Sequence, residues 1–337
     1  MLTPGVFSAV TDKDKTMRLN PDILTISLSD ETKKISSFLH EEVHKRFRRK
    51  GIILGLSGGI DSAVMAALAV HALGKENVIG LILPEKESNP LSAQYAVKHA
   101  EKLGIIYFQQ DISATVDAVG GYTTRDEYLK SLVPEYTPAL KYNIVLPTDF
   151  LERDSLGIYK LQVQLPDGSL ITKRLNMESL RFITAFASIK IRARMIHLYW
   201  EAERRNLVVA GTTNKTEMIL GDFCKYGDGG TDLEAIAHLY KNQIYQLAHH
   251  LDVIPEIINR DPSPDTFSLP VHDQQFFFRI PFDKLDLLLY SWEHGIKTAE
   301  VASVIGLAED AVKRAFRDFT VKHNATAHLR AVAKSLS

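Results

Sequence analysis

The residues best suited to chemistry lie in one short string, Gly55-Leu56-Ser57-Gly58-Gly59-Ile60-Asp61-Ser62. Two adjacent glycines remove Cβ atoms where a chain must turn tightly. The apolar residues on either side imply a buried strand before the turn and a helix after it. Such a turn aims backbone N–H groups and the positive end of a helix at one spot, which suits phosphate. Ser57 and Ser62 add hydroxyl donors, and Asp61 can reach a metal ion bound to those phosphates. An ordinary Gly-rich turn capped by Ser or Asp would use some of the same residues, but the full string behind a buried strand is far less common by chance. Neither GxxxxGK[ST] nor GxGxxG occurs, so P-loop and dinucleotide-fold readings fail.

A second constellation lies far downstream. Ala210-Gly211-Thr212-Thr213-Asn214-Lys215-Thr216-Glu217 follows another apolar run, and Lys225-Tyr226-Gly227-Asp228-Gly229-Gly230-Thr231-Asp232 comes soon after. The later run packs a cation, two carboxylates and three glycines into one loop. By itself it would read as a solvated turn, since Gly and Asp favour turns. With the upstream string present, it reads as part of the same site. Glu217 falls in a segment at the carboxyl end of a strand, where open α/β sheets build their sites.

These residues need a scaffold, and the flanking sequence supplies one. Ile35, Phe38, Leu39, Val43 and Phe47 recur at helical spacing between Ser29 and Lys50, with Ser29 or Asp30 as the expected cap. Then come an expected strand at Ile52–Leu56, an Ala-rich helix to Gly74, a strand at Val78–Leu83, a helix at Leu91–Leu103 and a strand at Ile105–Phe108. This alternation predicts an α/β fold, a doubly wound parallel sheet flanked by helices. The rhythm breaks between about Tyr122 and Leu180, where YKLQVQLPDGSLITKRL reads as an inserted β-hairpin turning at Pro166-Asp167-Gly168. It resumes with a helix over about Leu180–Arg204 and a strand at Leu207–Ala210; beyond Pro281 the chain reads as helical. The expected organisation is one α/β domain over 1–270, carrying the insertion at about 122–180, and a helical extension over 271–337 packed on it.

Composition narrows the class. Lys and Arg number 40 against 41 Asp and Glu in 337 residues, so no global field recruits nucleic acid or an anionic membrane. The amino terminus does not read as a signal peptide, and no apolar run is long enough to span a bilayer. Cys224 is the sole cysteine, which rules out a disulfide framework and a thiolate zinc site and fits a reducing compartment. A cytoplasmic protein is expected.

The SGGIDS string matches the loop of enzymes that split ATP into AMP and pyrophosphate. Together with Arg192-Ala193-Arg194-Met195, AGTTNKTE, KYGDGGTD and His238-Leu239-Tyr240-Lys241-Asn242-Gln243, it resembles the NAD synthetase family in order and spacing. The likeness covers most of 51–121 and 180 to about 265. It implies an adenine nucleotide α-hydrolase-like fold and a ligase that amidates deamido-NAD with ammonia, through an acyl-adenylate, releasing AMP and pyrophosphate.

The resemblance also implies roles. Gly55, Ser57, Gly58, Gly59, Asp61 and Ser62 would cradle ATP phosphates, with Thr212, Lys241 and Ser263 also on the nucleotide. Asp61 and Glu217 would ligate magnesium, a hard cation for hard oxygen ligands. Arg192, Lys225 and Asp232 would bind deamido-NAD, and Asp61, Lys225 and Lys241 would be the catalytic set. A homodimer is implied as well. No stretch resembles a glutaminase, so free ammonia or a separate glutaminase would supply nitrogen. The insertion, Ser188 in place of a common Asn, and the absence of a clean basic carboxyl-terminal motif (Lys322 and His323 are the nearest) keep two alternatives open. One is a ligase of the same fold acting on another carboxylic acid; the other is a non-catalytic nucleotide-binding regulator.

Overall fold

The computed structural model describes residues 19–153, 157–333 and 335; the amino-terminal segment read above as lacking a leader lies outside them. Helix α1 (Leu28–His40) runs into a π-helical turn at Glu41–Arg46 and buries Ile35 and Leu39. It starts ahead of the expected cap. Ser27 is the N-cap residue, its hydroxyl donating to Asp30 Oδ2 at 2.6 Å, while Ser29 and Asp30 lie inside the first turn. There the Asp30 carboxylate faces the positive helix end.

Next come β1 (Ile52–Gly55), α2 (Ile60–Leu73), β2 (Val78–Ile82), α3 (Pro90–Leu103), β3 (Ile106–Gln109), α4 (Ser113–Ala118) and α5 (Gly121–Leu132). Strands β4 (Lys141–Val145), β5 (Lys160–Gln164) and β6 (Leu170–Arg174) form a separate antiparallel sheet in that order. The expected hairpin is β5–β6; β4 is an addition. Its partner strand is distant along the chain, so no short turn announces it, and Tyr142, Asn143 and Ile144 are all buried, so it lacks the alternation that marks a half-buried strand.

The 29-residue helix α6 (Met177–Arg205) leads to β7 (Val208–Val209) and then α7 (Lys215–Leu220), α8 (Lys241–His250) and α9 (Pro255–Ile258). After a further π-helical turn at Gln274–Phe278, the chain ends in α10 (Phe282–Glu293), α11 (Thr298–Ile305), α12 (Glu309–Ala325) and α13 (Ala327–Arg330). No helix among the described residues is long and apolar enough to cross a membrane.

The main sheet is parallel, in the order β3-β2-β1-β7. Both faces are covered: Ile52 and Leu54 of β1 pack into the core shared by α1, α2 and α8, while Ile53 meets Met195, Leu198 and Ala202 of α6. From β1 the chain builds outward through β2 and β3, then returns to add β7 on the opposite side of β1. Strand order therefore reverses between β1 and β7. The crevice beyond the carboxyl ends of those two strands is where an open sheet leaves room for a ligand.

Candidate active site

The loop after β1 carries the first half of the site. Gly58 adopts φ +75°, and a Cβ there would overlap the Ser92 carbonyl at the start of α3. Hydroxyls stitch the turn: Ser62 Oγ donates to Gly59 O at 3.0 Å, and Gly59 N donates to Ser57 Oγ at 3.2 Å. Ser57 Oγ and Ser62 Oγ lie 3.1 Å apart. Helix α2 starts immediately, with Asp61 in its first turn. First-turn amides lack intrahelical acceptors and face outward with the positive helix end.

The loop after β7 carries the other half. Asn214 caps α7 in a capping box: its side chain accepts from Glu217 N at 3.1 Å, and Glu217 Oε2 accepts from Asn214 N at 3.1 Å. The Asn214 amide also donates to Asp61 Oδ1 at 2.9 Å, tying the two loops together. Lys241, buried at the start of α8, places Nζ 2.6 Å from Asp61 Oδ2 and 3.6 Å from Glu217 Oε1. Glu217 thus serves the cap with one oxygen and the cavity with the other.

Burial opposes the Lys241 charge, but Asp61 and Glu217 outweigh it and hold the ammonium firmly protonated. Burial, and then the nearby Asp61 charge, push Glu217 well above the usual carboxylate range. Two carboxylates this close are held at an electrostatic cost that a cation would relieve, and their oxygens suit a hard one. The residues present therefore fit magnesium. No group of three His, Cys, Asp or Glu side chains is gathered around a single point among the described residues, so water or ligand oxygens would complete its shell.

Two adjoining cavities open here. One, of about 270 Å³, is lined by Gly55, Ser57, Leu83, Arg194 and Thr212 among others. The second, of about 440 Å³, is lined by Ser57, Gly59, Asp61, Ser62, Thr212, Glu217, Lys241 and Ser263. Most residues read as nucleotide ligands thus meet at one crevice. Gly58 is the exception; it supports the turn from behind.

Arg192, Lys225 and Asp232 line neither cavity. Lys225 Nζ donates to the carbonyls of His328 (2.9 Å) and Ala331 (2.6 Å), and the exposed Arg192 guanidinium donates to Lys225 O. Both Asp232 oxygens are engaged inside the chain: Oδ2 accepts from Val209 N at 2.8 Å and Oδ1 from Tyr199 OH at 3.0 Å. Lys322 pairs with Asp318, and His323 Nδ1 lies 2.9 Å from Ile219 O, so neither points freely into the crevice.

Sequence reasoning missed Asp286. Buried on α10, it accepts from Thr216 Oγ1 and from Asn242 N, both at 2.6 Å, and so clamps α7 to α8. An acid inside an apolar helical repeat was the available signal. Asp222 and Asp273 were missed too. Burial, with Asp273 and Asp228 nearby, pushes Asp222 up to about 8; burial pushes Asp273 up to about 6.

The sign of the resulting pH effect follows. The folded chain holds a proton on Asp222 between the ordinary carboxylate range and pH 8, where the unfolded chain has lost it. Stability therefore falls as pH rises across that window. Asp222→Asn should flatten the fall, recovering about 2 kcal/mol at pH 8 after a discount for the solvent contact this side chain keeps. Thermal unfolding at pH 5.5 and 8 measures it; equal slopes for variant and parent would refute the assignment.

A family model described as NAD synthase matches residues 31–137 and 150–330, including most of the segment read as an insertion and breaking only around β4. An NH(3)-dependent NAD(+) synthetase from Mesorhizobium japonicum is 39% identical, covering 92% of this chain and 97% of that relative. A Thermotoga maritima protein of the same name is 35% identical over 76% of this chain and 85% of its own. Two solved structures share the fold. The NMN synthetase from Francisella tularensis aligns at TM-score 0.62 and 22% identity over 92% of this chain and 99% of its own. The NH3-dependent NAD synthetase from Campylobacter jejuni aligns at 0.59 and 23% over 93% and 100%. The matched stretch holds the turn after β1, the capped Glu217 and the buried Lys241, and on that extent of likeness the chain belongs to the NAD synthase family.

Proposed function

We propose that this chain converts deamido-NAD to NAD with ATP and ammonia. The observation that carries the reading is the Asp61–Lys241–Glu217 cluster, set beside the phosphate-suited turn at the reversal of strand order. A free carboxylate resists ammonia, because its carbon is electron-rich and oxide is a very poor leaving group. Attack of a carboxylate oxygen on the ATP α-phosphorus forms an acyl-adenylate and expels pyrophosphate. Ammonia then adds at the acyl carbon, AMP leaves, and a proton is lost to give the amide.

The chain's part is positioning and charge. The first-turn amides of α2 and the Lys241 ammonium face the crevice where pyrophosphate charge would build. Thr212 lies between the two cavities and Ser263 borders the second, both suited to hydrogen-bond the nucleotide. Asp61 and Glu217 would hold magnesium, which supplies charge neutralisation of the phosphates when bound. Covalent catalysis by Cys224 is not part of the reading, since burial pushes its thiol up. Nitrogen arrives as free ammonia, or from a separate glutaminase, and the reaction belongs to the cytoplasm.

The test is turnover of the pure chain with ATP, magnesium, ammonium and deamido-NAD. AMP, pyrophosphate and NAD are the expected products, and glutamine should not replace ammonium. ADP formation would overturn the adenylation reading. Adenylation that ignores deamido-NAD would leave a ligase for another carboxylic acid.

Arg192 and Lys225 suit an anionic dinucleotide only if something completes a site around them. Ile196 and Trp200 stand 62% and 65% exposed, one and two turns along α6 from Arg192, forming an apolar strip beside that cation. A second copy of this chain is the proposed cover, giving a homodimer with the acid site at its seam. Trp200→Glu should dissociate it in sedimentation, and a wild-type monomer at micromolar concentration would refute it.

A further inference from the structure

Away from the Lys241 cluster, a second buried set of charges joins the three-stranded sheet to the nucleotide cavity. Lys190 of α6 is fully buried, and its ammonium has three acceptors: Glu85 Oε1 at 3.0 Å, Glu87 Oε2 at 2.6 Å and Thr266 O at 3.0 Å. An ammonium has three protons, so none is left over. The two glutamates lie on the segment that follows β2, and Thr266 lies on the loop that follows α9. The same two segments wall the smaller cavity through Ser88, Asn89, Pro264 and Asp265. Asn89 N donates to Asp265 Oδ1 at 3.1 Å, a second tie between the walls, directly at the cavity.

Behind Lys190 stands Arg125 of α5, only 1% exposed, which grips Glu87 in a two-pronged pair at 2.7 and 3.0 Å. It also donates to Tyr142 OH on β4 at 3.1 Å and to Asp126 at 2.6 Å. Tyr122 OH donates to Glu85. Burial would raise Glu87, yet Arg125 and Lys190 together hold it below the ordinary carboxylate range, so it stays charged. Buried ion pairs seldom stabilise a fold more than apolar side chains of similar volume would, whereas they do fix geometry. The segment after β2 closes a turn, Ser88 N donating to Glu85 O at 2.9 Å, and Lys86 Nζ sits over the Tyr122 ring, 3.5 Å from its centroid.

We infer that Lys190 is a positioning residue for nucleotide binding: it fixes the spacing of the two cavity walls, and the three-stranded sheet braces it through Arg125. The inference rests on the reading of this crevice as the ATP site. It does not depend on which acid is amidated.

The test is calorimetric titration of ATP with magnesium into the full chain and its variants, beside their thermal unfolding. Lys190→Met should raise the ATP dissociation constant about tenfold in the fraction that remains folded. Glu87→Gln keeps size while removing the charge and one of the two acceptor oxygens, and Tyr122→Phe removes one hydroxyl; each should weaken ATP about two- to fivefold. These two decide the matter if Lys190→Met does not fold. Variants that melt earlier but bind ATP as the wild type does would overturn the positioning role and leave the site reading intact. A wild type that binds no ATP would overturn both.

Discussion

Asp61→Asn should lower pyrophosphate release about 10²–10³-fold while the chain stays folded. The side chain keeps its size and can still accept from the Asn214 amide nitrogen, which lies 2.9 Å from Oδ1. What it loses is the charge that faces Lys241 at 2.6 Å and would face a divalent cation. Glu217→Gln makes the companion test, because it separates two duties of one side chain. A Gln oxygen can still accept from Asn214 N, so the cap on α7 survives, while the carboxylate near Lys241 is gone. Its rate should fall about as far as that of Asp61→Asn, with at most about 1 kcal/mol of lost stability. Magnesium titrated into the wild type should raise the unfolding temperature and should do so much less in either variant. Near-normal turnover in both variants at ordinary magnesium would remove these carboxylates from the chemistry.

Gly58→Ala should be severely damaging although it adds a single methyl group. The residue adopts φ +75°, which an L side chain rarely takes, and the added Cβ would lie 2.9 Å from the carbonyl carbon of Ser92. That obstacle is backbone at the start of α3, with nowhere to swing. Left-handed strain and overpacking together cost about 2–4 kcal/mol. The alternative is to shift the loop, which misaims the donors proposed for phosphate; either way ATP affinity should fall by more than about tenfold. Gly59→Ala is the control. Its backbone is extended, and its Cβ would meet only the Ser57 hydroxyl, at 3.2 Å, a group that can rotate. Unfolding and ATP titration of both variants give the comparison. Equal behaviour would mean that Ser92 yields and that the loop is not held against α3.

The turn after β1 was legible because everything that makes it is local. A buried strand, two glycines, a hydroxyl and a helix start lie within a dozen residues, and their periodicities change where the turn must be. Glu217 was legible for the same reason, being the third residue of a capped helix just beyond a strand. The alternation of strands and helices likewise predicted a parallel sheet. It did not reveal strand order, and strand order decides which loops become neighbours. Only the return of β7 to the free side of β1 brings Lys241 to Asp61, 180 positions away.

Other features depended on packing across the chain. β4 finds its partner beyond a long connection, and Asp286 and Lys190 bury charges whose hydrogen-bond partners arrive from distant elements. Arg192, Lys225 and Asp232 share motifs with the site, yet the fold turns them to other hydrogen bonds within this chain. Side-chain chemistry and helical or strand period can be read along a sequence. A buried charge's partner cannot, because desolvation makes the pairing obligatory only after the surrounding core has closed.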